Sequence, residues 1–278
     1  MNPLKTANGA LASYTPNQKY YDTAGVVQFH KEDLQLWPVE AAVLSSLANE
    51  IRDQPILDIG IGAGRTTPYL QNISADYTGI DYSEKMIEAA KEKYGGANLL
   101  VCDARRMSAF HDGQFKAAFF FGGGICDMSG ADRMLTLREV HRVLQGDGIF
   151  VLAAHNLDVR IAQPCPFPDW DWLGRPMATV KDNLRRMRAY ISFWANRASR
   201  KIHDKGYAVL MDYEDCYDEW TKTPGMLLRT YYITRKLQVR QMLDTGFSSA
   251  HIVDKAGRIM DEQEEVKQGF LMCIARKG

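Results

Sequence analysis

The chain has 278 residues with 34 basic and 34 acidic side chains, so its formal net charge is zero. This length suits one α/β domain with an insertion, and the balanced charge provides no basic field to attract nucleic acid. The five cysteines are scattered, which disfavours a disulfide or zinc framework and indicates reduced thiols. Because there is no membrane-length apolar run and no apolar signal-peptide core, we expect a cytoplasmic protein.

The N-terminal region divides into two parts. Residues 1–18 are polar and small, so we expect a flexible end. Residues 20–48 carry interspersed aromatic side chains and predict a helical segment.

The most specific pattern of the chain begins at residue 55. Pro55 to Ile59 predicts a short buried strand, and Gly60, Gly62 and Gly64 follow it. Glycines at these positions let the backbone bend sharply and approach a ligand, because no Cβ obstructs it. A helix from Arg65 to Gln71 would direct its free N–H groups and positive dipole end toward that ligand.

A second strand, Asp76–Asp81, ends in a carboxylate. Asp81 at its tip is placed to accept hydrogen bonds from both hydroxyls of a ribose. Dinucleotide-binding turns need a small residue at the sixth position of the glycine motif, where this chain has Arg65. Asp58 on the first strand suits a cationic ammonium or a water shell better than a pyrophosphate. The pattern therefore disfavours nicotinamide binding and indicates another nucleoside.

The order Asp-x-Gly-x-Gly-x-Gly resembles motif I of the class I S-adenosylmethionine-dependent methyltransferases, and similar segments follow in that family's order. The similar segments are residues 81–90, 99–104, 115–123, 137–154, 237–247 and 270–276. The resemblance implies an α/β, Rossmann-like, mostly parallel seven-stranded sheet in the order 3-2-1-4-5-7-6, with helices on both faces. It implies a methyltransferase core at 19–156 and 235–278, and a cap insertion that binds substrate at 157–234.

The resemblance also implies S-adenosylmethionine as cofactor, S-adenosylhomocysteine as product, and no metal. The expected cofactor contacts are Tyr21, Asp58, Gly60, Gly62, Gly64, Asp81, Tyr82, Met86, Asp103, Ala104 and Phe121. Among these, Asp103 and Ala104 match the pair that contacts the adenine. Met86 packs on the adenine face or belongs to the helix core. Tyr21 closes the pocket or packs against the core.

Methyl transfer requires alignment of two centres, and a proton must be removed when the acceptor is a hydroxyl or an ammonium. His155 at the tip of the fifth strand is a candidate proton acceptor, or a histidine that hydrogen-bonds the cap. Asp127 follows the glycine run after the fourth strand and contacts the acceptor, caps a helix or is a solvated loop carboxylate. Tyr20, His30 and Asn156 are the predicted substrate contacts, although His30 could also lie on a helix surface.

The segment after the fourth strand reads Phe121-Gly122-Gly123-Gly124, which disfavours the subclass that methylates amino groups of nucleobases or glutamine. We expect transfer to an oxygen or nitrogen of a small molecule, by a monomer or a homodimer. DNA and membrane partners are not expected, and the zero net charge disfavours RNA. Two alternatives stay open. One is a macromolecular acceptor such as a peptide terminus or RNA, and the other is a non-catalytic cofactor-binding or interaction protein.

Overall fold

The computed structural model describes residues 16–162, 216–223 and 226–278, with side chains placed except at residues 16, 160–162 and 216–229. Most of the predicted 157–234 insertion lies outside the described residues. Residues 182–201, whose sequence predicts a basic helix, are among those that lie outside the described residues.

Helices and strands alternate through the core, as expected for an α/β fold. The helices are α1 (Pro16–Tyr21), α2 (Ala24–Glu32), α3 (Pro38–Ile51), α4 (Thr67–Ile73), α5 (Glu84–Lys93), α6 (Gly130–Val143), α7 (Leu157–Ala162) and α8 (Arg235–Asp244). The strands are β1 (Ile56–Ile59), β2 (Tyr77–Asp81), β3 (Asn98–Val101), β4 (Phe115–Phe120), β5 (Leu144–Asn156), β6 (Cys216–Thr223), β7 (Met226–Ile233), β8 (Phe247–Val253) and β9 (Phe270–Lys277). A short 3₁₀ helix spans Gly124–Asp127.

The sheet has the predicted Rossmann-like order. Strands β3, β2, β1, β4 and β5 lie side by side and run parallel. β9 pairs with β5 in antiparallel register, and β8 pairs with β9 in the same way. With β8 and β9 counted as the sixth and seventh core strands, the order is 3-2-1-4-5-7-6. The prediction of a mostly parallel α/β sheet is therefore confirmed.

The sheet contains nine strands in the described part of the chain, because a hairpin adds two to the predicted seven. β6 and β7 form this antiparallel hairpin. β7 pairs in parallel with the last two residues of β5, His155 and Asn156. The pairing of β4 with β5 ends at Leu152, so β5 extends beyond its neighbour and offers those two residues to β7.

Two local features differ from the expectation. The predicted N-terminal helical segment is divided into three helices. Pro38 begins the third of them, because proline fits the first turn of a helix but not its interior. The sequence Gly146-Asp147-Gly148 predicts a turn before the fifth strand, but these residues lie inside β5. There the pairing passes from Phe115–Leu144 directly to Ala117–Ile149, so the extra residues of β5 form a bulge.

The core is formed on both faces of the sheet. All four residues of β1 are buried, and alternate side chains point to opposite faces. Leu57 and Ile59 pack in the cluster that includes Leu137 of α6, whereas Ile56 packs in the cluster that includes Leu44 of α3. None of the described helices is long and apolar enough to cross a membrane.

Candidate functional site

A cavity of about 590 Å³ opens at the carboxyl ends of the parallel strands. The last residue of each of the first four strands lines it, namely Ile59, Asp81, Val101 and Phe120. This edge is where open α/β sheets bind their ligands. The volume lies within the usual range for small-molecule and cofactor pockets.

The glycine turn after β1 adopts a conformation that requires glycine. Gly60, Gly62 and Gly64 have φ angles of 66°, 55° and 88°. A Cβ on Gly60 would lie 2.7 Å from the Phe120 ring, and one on Gly64 would lie 2.8 Å from the Tyr94 ring. Both the dihedral angles and the available space therefore exclude larger residues at these two positions.

Gly60→Ala is expected to lower the free energy of unfolding by about 1–3 kcal/mol, because alanine would be strained at that φ and its methyl group would meet the Phe120 ring. Urea unfolding followed by circular dichroism measures the change. Gly96→Ala is the control, since a Cβ at Gly96 meets no atom within 4 Å and the residue has no positive φ. Equal stability of the two variants would contradict the account of the turn.

Asp58 stabilises the region of the glycine turn through side-chain hydrogen bonds. Its Oδ2 accepts a hydrogen bond from Thr66 Oγ1 at 2.5 Å and another from the Tyr77 hydroxyl at 2.9 Å. Burial raises the pKa of the Asp58 carboxyl to about 7, although these two hydrogen bonds lower it. Asp58 thus connects β1 to the residue before α4 and to β2.

Asp81 connects the tip of β2 to the glycine turn. Its Oδ2 accepts the Gly62 N–H at 2.9 Å, and its Oδ1 accepts the Ser83 N–H at 2.8 Å. Burial raises the pKa of the Asp81 carboxyl to about 6. Because a carboxylate has about four lone-pair positions, Asp81 retains acceptor capacity, and the residue lines the cavity.

The first two helices cover the cavity beside α5. Ser83 Oγ caps α5 by accepting the Met86 N–H at 3.2 Å, and it donates to Asp22 Oδ1 at 2.7 Å. Lys85 Nζ donates to the Asp22 carbonyl at 2.8 Å. Met86 is buried against Ala63 and lines the cavity. α2 contains no fully buried residue, but Val26 and Val27 pack partly buried against the same cluster, so polar and apolar contacts together attach this cover.

A buried ion pair joins α3 to the residue after the glycine turn. Arg65 donates to Glu40 through Nη1 at 2.6 Å and through Nη2 at 2.9 Å. Glu40 also accepts the N–H of Trp37 at 2.8 Å and that of Gly122 at 3.2 Å. Sequence reasoning missed Glu40. Pro38 and Glu40 together are typical of a helix start, but nothing in the sequence indicates that Arg65 folds onto them.

Asp127 lies at the end of the 3₁₀ helix after β4. Its Oδ2 accepts a hydrogen bond from the Tyr21 hydroxyl at 2.6 Å, and the Asn17 side chain also hydrogen-bonds to it. Burial raises the pKa of the Asp127 carboxyl to about 7, and the Asp81 carboxylate raises it further. Asn17, which sequence reasoning placed in a flexible end, is buried in α1.

Asp103 and its neighbours follow β3. Arg105 forms a salt bridge with Asp103 at 2.6 Å and another with Asp132 at 3.2 Å. Asp103, Ala104 and Arg105 all line the cavity. Asp103 therefore reaches the cavity as part of an ion pair.

The cavity brings together most of the predicted site residues. Those that line it are Tyr21, His30, Asp58, Gly60, Gly62, Asp81, Tyr82, Met86, Asp103, Ala104, Phe121 and Asp127. The lining formed by the described residues does not include Tyr20, Gly64, His155 or Asn156. Among the described residues, no group of His, Cys, Asp and Glu side chains is arranged to hold a metal ion.

His155 and Asn156 join β5 to neighbouring segments. The His155 ring lies 4.4 Å from the Phe270 ring and 5.0 Å from the Tyr232 ring, between centroids. Its backbone N–H donates to Cys126 Sγ at 3.0 Å. The Asn156 amide donates to the carbonyls of Gln268 at 2.9 Å and Val266 at 3.3 Å. These contacts hold the end of β5 in place.

Comparison with known proteins agrees with this geometry. Residues 57–152 match the family model described as a methyltransferase domain. The Bacillus subtilis protein YqeM, whose name assigns it to the methyltransferases, is 33% identical over 178 residues, or 60% of this chain and 64% of YqeM. Demethylmenaquinone methyltransferase of Thermotoga maritima is 32% identical over 108 residues, or 37% of this chain and 44% of that enzyme. The chain thus spans less than two thirds of the length of these relatives.

A solved structure extends the likeness to the whole fold. The 1,6-didemethyltoxoflavin-N1-methyltransferase of Burkholderia thailandensis, crystallised with bound 1,6-didemethyltoxoflavin and S-adenosylhomocysteine, matches with a TM-score of 0.52. The match covers 93% of this chain and 84% of that enzyme at 14% identity. At this identity the match establishes a common fold.

Proposed function

We propose that this chain, which carries a class I, Rossmann-like methyltransferase domain at residues 57–152, transfers a methyl group from S-adenosylmethionine to an oxygen or nitrogen of a small molecule. The observation that carries the proposal is the junction of the glycine turn with Asp81. Asp81 accepts the Gly62 N–H at 2.9 Å while its carboxylate lines the cavity.

The residues around the turn fit the cofactor. Asp81 would accept hydrogen bonds from the ribose hydroxyls. The glycines of the turn after β1 would contact the cofactor through their backbone. Asp103 and Ala104 would contact the adenine, with Met86 on its face. The remaining predicted contacts, Tyr21, Asp58, Tyr82 and Phe121, would surround the methionine portion. When bound, the cofactor supplies a methyl group on a positively charged sulfur.

This chain's own residues would align the reactants and exclude water. The first two helices cover the cavity, and Tyr21 closes onto Asp127 across it. Of the two catalytic candidates, Asp127 is favoured over His155, because Asp127 lines the cavity of the described residues. His30 would contact the substrate, since it lines the cavity beside Gly62.

The cavity favours a small acceptor over a macromolecular one, because helices cover part of its surface. The names of the toxoflavin and demethylmenaquinone enzymes refer to small molecules, which supports the same choice. A peptide or RNA acceptor would need an open groove instead. The 157–234 cap, a cytoplasmic location, and a monomeric or dimeric state remain predictions.

Calorimetric titration with S-adenosylmethionine tests the proposal. We expect a single site per chain, and competition by S-adenosylhomocysteine. Absence of binding by folded protein would contradict the proposal and favour an interaction protein without a cofactor.

The affinity for S-adenosylmethionine is expected to depend on pH. The carboxyl pKa values of Asp58 and Asp81 are raised to about 7 and about 6, so these groups are partly protonated near pH 6.5. A sulfonium and an ammonium nearby favour the ionised carboxylates and lower these pKa values. Binding should therefore release protons, and affinity should rise from pH 5 to pH 8.

Titrations in two buffers of different ionisation enthalpy measure this proton release. S-adenosylhomocysteine lacks the sulfonium charge, so its binding should release fewer protons. Burial lowers the pKa of His30 below its ordinary value, which favours its neutral form. An affinity independent of pH would contradict the placement of the cofactor's charges near these carboxyls.

A further inference from the structure

One carboxylate of the cavity lies apart from the expected nucleoside contacts. Asp127 ends the turn that follows β4, and the turn residues Gly122, Gly124 and Met128 line the cavity with it. Asp81, by contrast, belongs to the tip of β2. The cavity therefore has a second acidic position, on the β4 side.

The partners of Asp127 are neutral. The Tyr21 hydroxyl donates to its Oδ2 at 2.6 Å, and the Asn17 side chain supplies a second hydrogen bond. Asn17 and Tyr21 are four residues apart on α1, so they share one face of that helix. Within the described residues, Asp127 forms no salt bridge, and the charge that acts on it is the Asp81 carboxylate.

A carboxylate offers about four lone-pair positions, and two neutral donors leave some of them available. A carboxylate without a cationic partner in a confined site is best stabilised by a ligand that donates hydrogen bonds or carries positive charge. The cavity lining also includes apolar and aromatic side chains, among them Phe121, Trp37 and Met128. An N–H group on an apolar ring matches both properties.

On the basis of the proposed function, we infer that Asp127 binds the N–H group of an amine or nitrogen heterocycle, which is methylated at that nitrogen. Tyr21 and Asn17 position the carboxylate. The nitrogen lone pair forms the new N–C bond as the S–C bond breaks, and the electron pair of that bond stays on sulfur. The nitrogen proton passes to Asp127 and then to solvent, which leaves S-adenosylhomocysteine and the methylated nitrogen.

The chemistry of Asp127 favours nitrogen over oxygen. A neutral nitrogen attacks with its lone pair and becomes acidic only as the bond forms, so a group whose pKa is about 7 can take its proton. An aliphatic alcohol holds its proton much more strongly and would need a stronger base. Burial and Asp81 raise the pKa of Asp127, while Tyr21 and Asn17 lower it, and together they bring it near neutral pH.

The test compares Asp127→Asn with the wild type. The asparagine retains a carbonyl that can accept the Tyr21 hydrogen bond, but it cannot take a proton. The probes are two matched pairs, tryptamine with tryptophol and aniline with phenol, together with a cell metabolite extract. Each is incubated with methyl-labelled S-adenosylmethionine, and mass spectrometry locates the label. Asp244→Asn, at an exposed position on α8, is the control.

We expect the label on nitrogen. Where a probe pair reacts, kcat/KM for its amine should be about 10-fold or more higher than for the matched alcohol or phenol. Asp127→Asn should lower that value about 100-fold or more, while the Kd for S-adenosylmethionine changes by less than about threefold. In the wild type, kcat/KM should rise with pH near pH 7, and in Asp127→Asn this rising limb should be absent. Tyr21→Phe should move that limb to higher pH, because the Tyr21 hydrogen bond lowers the pKa of Asp127. A purely structural role for Asp127 would leave the limb unmoved.

Label on oxygen, carbon or sulfur would overturn the inference, as would full N-methylation by Asp127→Asn. Cofactor binding without any N-methylated product from the probes or the extract would also contradict it. Label on oxygen, or full N-methylation by Asp127→Asn, would leave the proposed function standing, whereas label on carbon or sulfur would also contradict its acceptor atom. Absence of cofactor binding by the wild type would instead remove the proposed function, and this inference with it.

Discussion

Replacement of Glu40 by alanine is expected to lower the free energy of unfolding by about 3–5 kcal/mol, because it leaves the Arg65 guanidinium largely buried without its partner. The Glu40 side chain is fully buried and that of Arg65 is only 12% exposed. The substitution also removes the acceptor of the Trp37 and Gly122 N–H groups. Urea unfolding of the two proteins measures the difference.

Glu50→Ala provides a matched control on the same helix. Glu50 also pairs with an arginine through both oxygens, at 2.6 and 2.9 Å from Arg276. Its side chain is 37% exposed and that of Arg276 is 44% exposed, so solvent screens the pair and the expected loss is about 0–1 kcal/mol. Equal losses for the two variants would show that burial does not set the strength of the Arg65 pair.

Replacement of Asp81 by alanine is expected to weaken cofactor binding by about 1.5–3 kcal/mol, or about 10- to 150-fold in Kd. The carboxylate is placed to accept charged hydrogen bonds from a ribose, and it also holds the Gly62 N–H of the turn. Isothermal titration with S-adenosylmethionine measures the change. Asp81→Asn, which keeps one carbonyl acceptor, should lose less.

Asp76→Ala is the control for Asp81, because Asp76 immediately precedes β2 at the opposite end of that strand. Its side chain is exposed, and its carbonyl accepts the Ile56 N–H, which alanine preserves. The Kd should not change. An Asp81→Ala protein that folds and binds the cofactor with wild-type affinity would remove Asp81 from the site.

Local patterns predicted the core of the fold well. The glycine turn, the apolar strands and their order specify a Rossmann-like sheet, and both the sheet and the methyltransferase family match at residues 57–152 agree with that prediction. Asp58 and Asp81 could be placed at the cavity because each belongs to a strand whose direction the turn fixes. Asp127 could be placed near them because it follows β4.

Long-range contacts could not be predicted in the same way. Glu40 meets Arg65 across 25 residues, and Tyr21 meets Asp127 across 106, so neither contact has a local periodicity. His155 was predicted at the tip of β5, but the rings of Tyr232 and Phe270 enclose it there. The position of a strand end could therefore be predicted from the local sequence. The packing around that end could not, because it depends on segments distant in the chain.

The most direct test of the central claim is methyl transfer by the whole protein. The purified chain is incubated with methyl-labelled S-adenosylmethionine and a small-molecule extract, and the products are separated by mass. We predict a labelled small molecule formed in equal amount with S-adenosylhomocysteine, and loss of both in Asp81→Ala at limiting cofactor. Cofactor that stays intact, or label found only on protein or RNA, would contradict a small-molecule methyltransferase.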